Sequence, residues 1–183
     1  RRLGLVEHDM VTLTRADVGL GSASGDGAGL AILGLNSILL LAERDRQRRV
    51  LGTMAALLRP GGLAVIDAWL PAVEDLARFD GRLSLEWLRT DPDTGREVTK
   101  TAAAWYDETT RVVTLTTIFE EAAPGGAPTR WTRSDAMRLI GVDELRAFVE
   151  DAGLRIEQLG GAHELGPFGP GSERAVVLAG KPR

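Results

Sequence analysis

The sequence predicts an α/β fold in which a parallel-sheet core is interrupted by an antiparallel β-meander and closed by a further helix and strand pair. Three observations carry this. Two short apolar runs, Leu30–Leu35 and Leu63–Ile66, flank an amphipathic stretch, the order of a right-handed strand–helix–strand crossover and therefore of a parallel sheet. Residues 83–138 turn to Thr, Val and aromatics in short alternations broken by turn residues, which suits hairpins with one wet face. Residues 143–179 return to a helical stripe followed by two apolar runs.

In chain order, Leu3–His8 is a short apolar segment ending in Glu7-His8-Asp9-Met10, expected to be a buried strand with an acidic end. Residues 16–29 are dominated by Gly, Ala, Ser and Asp and are expected to be loop. Leu30–Leu35 is then a strand buried on both faces, with Asn36-Ser37 at its carboxyl end. Val50, Leu51, Met54, Ala55, Leu57 and Leu58 recur at three- and four-residue spacings, which predicts a helix over 43–58. Arg59-Pro60-Gly61-Gly62 ends it, and Leu63–Ile66 is a second buried strand running into Asp67-Ala68-Trp69. The meander comprises a strand around Leu83, Leu85 and Trp87, then Val98–Tyr106, Arg111–Phe119 and Thr129–Arg138, with turns at Asp91-Pro92-Asp93-Thr94-Gly95 and Pro124-Gly125-Gly126. Leu145, Phe148, Val149 and Ala152 form a helical stripe with Asp143 as its cap and Gly153 at its end. Leu154–Leu159 and Arg174–Ala179 are the last strands, joined by the Gly/Pro-rich loop 160–172.

Composition narrows the function classes. The 183 residues contain no cysteine and only two histidines, His8 and His163. That removes disulfide frameworks, thiol nucleophiles and the common Cys/His zinc sites, and no metal is expected. Lys+Arg number 22 against 26 Asp+Glu, a formal net charge of -4, so no sequence-wide basic surface attracts nucleic acid. The longest apolar run, Leu30–Ala42, is too short to span a bilayer and holds Asn36 and Ser37. A cytoplasmic protein with a small-molecule partner, and with no nucleic-acid or membrane partner, is the expectation.

The segment Asp17-Val18-Gly19-Leu20-Gly21-Ser22-Ala23-Ser24-Gly25 imitates a nucleotide-binding glycine loop. Its surroundings do not fit one. Thr12–Ala16 is too polar for a preceding strand, Gly25, Gly27 and Gly29 would each cost a following helix about 1 kcal/mol, and the next strand begins at Leu30.

Taken together, Val6-Glu7-His8-Asp9-Met10, LAILGLNSILLL (Leu30–Leu41), LLRPGGLAVID (Leu57–Asp67) and DELRAFVEDAGL (Asp143–Leu154) resemble class I S-adenosylmethionine (SAM)-dependent methyltransferases. The meander and the closing GPGSERAVVLAGKP (Gly169–Pro182) are similar to bacterial small-molecule members, including those that N-methylate amino sugars. The resemblance implies a Rossmann-like sheet, SAM as cofactor and transferase activity. It begins at the family's third strand: the first strand, the Gly-x-Gly-x-Gly loop and the acidic end of the second have no counterpart. The acidic residue that often opens the family's fourth strand is also replaced, by Gly29 or Leu30. The amino end, Arg1-Arg2-Leu3-Gly4, itself reads as the middle of a chain. The expected organisation is therefore a partial Rossmann-like core over 1–81, the inserted meander over 82–138, and a helix and antiparallel strand pair over 139–183 completing the core, the antiparallel pairing being what the resemblance implies. Such a chain is expected to be inactive alone and to expose an apolar sheet edge where the absent strands would pair.

The resemblance assigns Asp9 to the adenine amino group and Met10 to the ring. An ionised carboxylate accepts hydrogen bonds and a thioether is a polarizable surface for a flat base. Read from its residues alone, Asp9 is a strand-end cap. Leu35, Asn36 and Ser37 stand where ligands bind in open α/β sheets, which makes them cofactor-binding candidates or a plain polar strand end. His163, in a loop at the expected substrate end, is the candidate for proton work, or an ordinary loop histidine. Trp69, Trp105, Tyr106 and Trp131 suggest a substrate pocket, a homodimer face or core protection of a small sheet. Arg138 suits steering of an acidic acceptor. The expected function is N- or O-methylation of a small molecule by in-line displacement, for which a neutral amine needs no base and an oxygen acceptor usually does. The competing expectation is a non-catalytic binding or assembly module on the same fold.

Overall fold

The computed structural model describes residues 4–21, 26–122 and 125–183. The elements, in chain order, are β1 (Ala28–Leu33), α1 (Arg44–Leu57), β2 (Leu58–Trp69), α2 (Val73–Leu76), β3 (Ser84–Thr90), β4 (Glu97–Asp107), β5 (Val112–Ala122), β6 (Thr129–Arg138), α3 (Val142–Asp151), β7 (Arg155–Gly160) and β8 (Arg174–Gly180). The chain divides into two units, Arg1–Pro71 with Ile140–Arg183, and Ala72–Leu139.

The first unit is a four-stranded sheet in the order β1-β2-β8-β7. β1 and β2 are parallel and are joined through α1, as the strand–helix–strand pattern predicts, whereas β8 is antiparallel to both its neighbours. The buried stripe of α1 is Gln47, Val50, Leu51, Met54 and Ala55, and α1 packs on β2 and on α3, which in turn packs on β7. The covered sheet face is lined by Ala64, Ile66, Ala68, Ala175, Val177 and Ala179, all fully buried. Mostly alanine and valine there let the helices approach closely.

The strand after α1 begins at once. β2 takes in Leu58-Arg59-Pro60-Gly61-Gly62, and Lys181 Nζ donates to the carbonyls of Ala55 and Leu58 at 2.7 and 2.8 Å, satisfying acceptors that the ended helix leaves open. Gly61 has φ 72°. At Gly62 a Cβ would lie 2.8 Å from the Ala28 carbonyl oxygen and 2.9 Å from that of Arg59, so the Pro-Gly-Gly turn is required by close backbone approach.

Three expectations are corrected. Leu3 lies outside the described residues, and residues 4–8 form no strand. Leu5 is 89% exposed, because no described strand lies beside the segment to complete a ladder. Second, β1 is not buried on both faces: Leu30 and Ile32, in register with Leu63 and Val65, are exposed on the face that α1 and α3 leave open. β1 is also an edge strand of its sheet. Third, Asp143 does not cap α3; Gly141 is the N-cap and Asp143 sits in the first turn, where its charge suits the helix dipole. Gly153, with φ 76°, follows α3 as expected.

The second unit holds the meander in simple sequence order, β3-β4-β5-β6, all pairs antiparallel. Asp91 makes the first turn by accepting the amides of Asp93 and Thr94, and Asp107 the second by accepting those of Thr109 and Thr110. Pro124, expected in the third turn, lies outside the described residues. Among the described residues no helix is long and apolar enough to cross a membrane.

Candidate functional site

Parallel pairing brings the carboxyl ends of β1 and β2 side by side, and the chain leaves β1 in an unusual way. Leu35 and Asn36 have φ 54° and 59°, the left-handed region that costs a non-glycine residue about 1–2 kcal/mol and that asparagine tolerates better than leucine. Leu35 is 88% exposed. Its amide donates to Asp67 Oδ2 at 3.1 Å. Asn36 Oδ1 accepts the Trp69 amide at 2.8 Å and Arg174 Nη1 at 3.2 Å. The Ser37 hydroxyl and amide both donate to the Gly34 carbonyl, at 2.6 and 3.1 Å.

Asp67 is the centre of this arrangement. It is 5% exposed, its Oδ1 accepts from Arg174 Nη1, and His163 Nε2 lies 3.6 Å from its Oδ2. That last distance is within ion-pair reach and longer than a hydrogen bond. His163 itself is largely open, with 64% of its side chain exposed. Leu35, Asn36, His163 and Trp69 thus meet around one buried carboxylate, Trp69 through its backbone.

Asp9 and Met10 lie elsewhere in the same unit. Asp9 accepts the Val11 amide at 3.0 Å and both its oxygens accept from Arg46, at 3.2 and 3.0 Å. The Val11 amide first, then Arg46, hold its carboxyl below the ordinary aspartate range. The segment is tied to α1 again where Thr53 Oγ1 donates to the Val11 carbonyl at 2.8 Å. Met10 lines an apolar groove of about 390 Å³ with Leu13, Val18, Leu20, Leu30 and Met54. Met10 is therefore apart from Leu35–Ser37, which do not line that groove.

The meander does not gather its candidate residues into one place. Strand alternation and register put Trp87, Lys100, Phe119 and Trp131 in a single row across β3, β4, β5 and β6, with the Trp87 and Phe119 rings 6.1 Å apart. Trp105 points to the opposite face. Tyr106 shares the face of the row but stands six residues from Lys100 along β4, about 20 Å. Arg138 lies on the Trp105 face and is 7% exposed, so its guanidinium is not a free surface charge for steering.

Two site residues escaped the sequence reading: Asp67 and Arg174. The available signal was an aspartate closing the apolar run Leu63–Ile66, a place where a carboxylate is buried only if it is paired. Its partner is 107 residues away and becomes adjacent only because β8 returns antiparallel along β2, with Trp69 opposite Arg174.

No protein-family model matches the sequence, and no curated protein does. Solved structures do. A SAM-dependent methyltransferase from Clostridium acetobutylicum superposes with TM-score 0.70 at 12% identity over 96% of this chain and 63% of that one. The sugar N-methyltransferase KedS8 from Streptoalloteichus gives 0.70 at 19% over 96% and 61%. DesVI from Streptomyces venezuelae gives 0.65 at 21% over 97% and 64%. The chain therefore has the fold these methyltransferases share, and it spans less than two thirds of the length of each.

Proposed function

We propose that this chain supplies the adenine-side and substrate-side parts of an enzyme that methylates a small-molecule acceptor at nitrogen or oxygen, with SAM as the methyl donor. The observation that carries the reading is the exposed left-handed Leu35–Asn36 turn at the carboxyl end of a parallel strand, on a fold shared with SAM-dependent methyltransferases. Strained non-glycine residues cluster at ligand-contacting sites, and although Ala42, Arg111 and Leu165 also have positive φ, the Leu35–Asn36 turn is the one that follows a parallel strand of the sheet.

The residues present fit part of that cofactor. The apolar groove with the Met10 thioether suits a flat base, Asp9 keeps an ionised acceptor beside Met10 in sequence, and Leu35–Ser37 offer a turn that projects from the sheet. When bound, the sulfonium supplies an electrophilic methyl group open to in-line displacement. The protein's own share is to hold the acceptor in line and exclude water, which accounts for most of the acceleration such a reaction needs. For an oxygen acceptor, His163 takes the proton at Nδ1 while Nε2 faces Asp67. A neutral amine needs no such base.

Calorimetry with S-adenosylhomocysteine, on the 183-residue chain and on the full-length product of its gene, tests the reading. Weak or no binding to the chain and tight binding to a product with an upstream Gly-x-Gly-x-Gly segment is the expected outcome. Absence of binding to both overturns it. For oxygen acceptors, His163→Ala is expected to lower kcat by about 10²–10⁴-fold with little change in S-adenosylhomocysteine affinity.

A second reading, association through the meander, has one observation in its favour. Leu85, Leu88 and Trp105 lie on the same face and are 62%, 56% and 59% exposed. Light scattering on wild type and on Leu85→Asp/Leu88→Asp is the test: a homodimer that the double variant dissociates supports it, and a monomeric wild type removes it.

A further inference from the structure

The Asp67–Arg174 pair sets a buried carboxylate against a partly buried guanidinium, and the hydration that Asp67 loses must be replaced by its partners. It makes four contacts that a hydrophobic pair could not: Asp67 Oδ2 receives the Leu35 amide at 3.1 Å and faces His163 Nε2 at 3.6 Å, while Arg174 Nη1 bridges Asp67 Oδ1 and Asn36 Oδ1. Asn36 Oδ1 also receives the Trp69 amide. Every one of these contacts ends on the Leu35–Asn36 turn, on the end of β2, or on the loop histidine. A left-handed leucine persists only where its surroundings over-determine it, and here the determinants come from two other chain segments, the end of β2 and the start of β8.

We infer that Asp67 and Arg174 are positioning residues, which hold the Leu35–Asn36 turn in its left-handed shape so that the exposed Leu35 is presented at the ligand-facing end of the sheet. Asp67 acts through the Leu35 amide, and Arg174 through Asn36 and Asp67. The same Asp67 oxygen lies within ion-pair reach of His163 Nε2, at 3.6 Å. The geometric part stands on the contacts alone; the identity of the ligand rests on the methyl-transfer reading above.

Native-state amide hydrogen exchange separates a positioning role from simple stabilisation. Asp67→Asn is expected to speed exchange at the Leu35 and Trp69 amides at least tenfold while the amides of α1 and α3 stay as in wild type. Uniformly faster exchange, or none, overturns the proposal. Should Asp67→Asn fail to fold, Arg174→Lys, which keeps the charge but loses the fork, carries the same expectation at Trp69 and the same overturning result. Leu35→Gly provides the complementary reading because glycine adopts φ 54° without strain. Its Tm is expected to equal or exceed that of wild type, and the Tm loss from Asp67→Asn or Arg174→Lys is expected to be smaller in the Leu35→Gly background. Equal losses in both backgrounds also overturn the proposal. In the full-length product, S-adenosylhomocysteine affinity is expected to fall about tenfold in Leu35→Gly and Asp67→Asn. If wild type does not bind it, the methyl-transfer reading fails, and the exchange data decide the positioning role independently.

Discussion

The two units of this chain are built from sheets of equal strand number and differ in how much each buries. Among the described residues, eleven of the twelve largest fully buried side chains belong to the unit that contains β1, β2, β7 and β8, and Val113 alone belongs to the meander unit. In the first unit, helices seal one sheet face and the hydrophobic effect dominates. The meander's cross-strand ion pairs, Lys100–Glu86, Arg130–Glu120 and Arg96–Glu121 among them, lie at its surface, as do Arg44–Glu144 and Arg48–Asp151 in the first unit. Such pairs contribute little each. The difference teaches where a buried charge stands out: in the first unit, Asp67 with its partner Arg174 interrupts an otherwise apolar strand end, and that interruption marks the candidate site.

The largest effect that would sharpen this comparison is expected at Phe148, 1% exposed on α3. Phe148→Ala should cost about 3–5 kcal/mol, whereas Trp131→Ala, at a half-exposed position, should cost far less. Chemical denaturation followed separately in each unit checks both, and equal costs would erase the distinction. Gly62→Ala should come next, at about 1–3 kcal/mol, since its Cβ would press on two backbone carbonyls. A Gly62→Ala variant as stable as wild type would mean that the β1–β2 approach is looser than the structure has it. Arg130→Ala should change stability by no more than about 1 kcal/mol, with the difference shrinking in high salt.

The smallest expected effect is a pH dependence of the meander turns. The Asp91 carboxyl is lowered by the Thr94 and Asp93 amides, and that of Asp107 by the Thr110 hydroxyl and then the Thr109 and Thr110 amides. A carboxylate with a lowered folded pKa binds fewer protons folded than unfolded. Its contribution is therefore complete above the ordinary aspartate range, about pH 4, and is lost as the pH falls through the lower folded value. Asp107→Asn should flatten the acid limb of meander unfolding by lowering stability slightly at neutral pH while leaving it nearly unchanged below the folded value. An acid limb identical to wild type would detach Asp107 from turn stability.

Periodicity made most of the secondary structure legible. The apolar spacing of 50–58 marked α1, the Pro-Gly-Gly turn marked the passage into β2, the alternation of Leu83, Leu85 and Trp87 marked β3, and the Thr/Val-rich runs marked β4 and β5. The Leu3–His8 segment failed for a physical reason: an apolar run is a strand only when a neighbour completes its hydrogen bonds, and local sequence does not report neighbours. The same limit divided the site. That Leu35, Asn36 and Ser37 follow a strand and that His163 lies in a loop was legible from local pattern; that they lie near Asp67 and Arg174 was not. Trp105 and Trp131 were misleading as a group because alternation sends them to opposite faces.

By itself the sequence determined the order of strands and helices, the turn between α1 and β2, the insertion of a meander and the positions at which a parallel strand ends. These depend on spacing, turn chemistry and local hydrophobic pattern, which act over a few residues. Only the tertiary structure decided that β8 lies antiparallel beside β2, and with it that Arg174 reaches Asp67 and Asn36. The physical reason is that a buried charge is tolerated only beside its partner, and which residue becomes that partner is settled by strand register across 107 residues of chain.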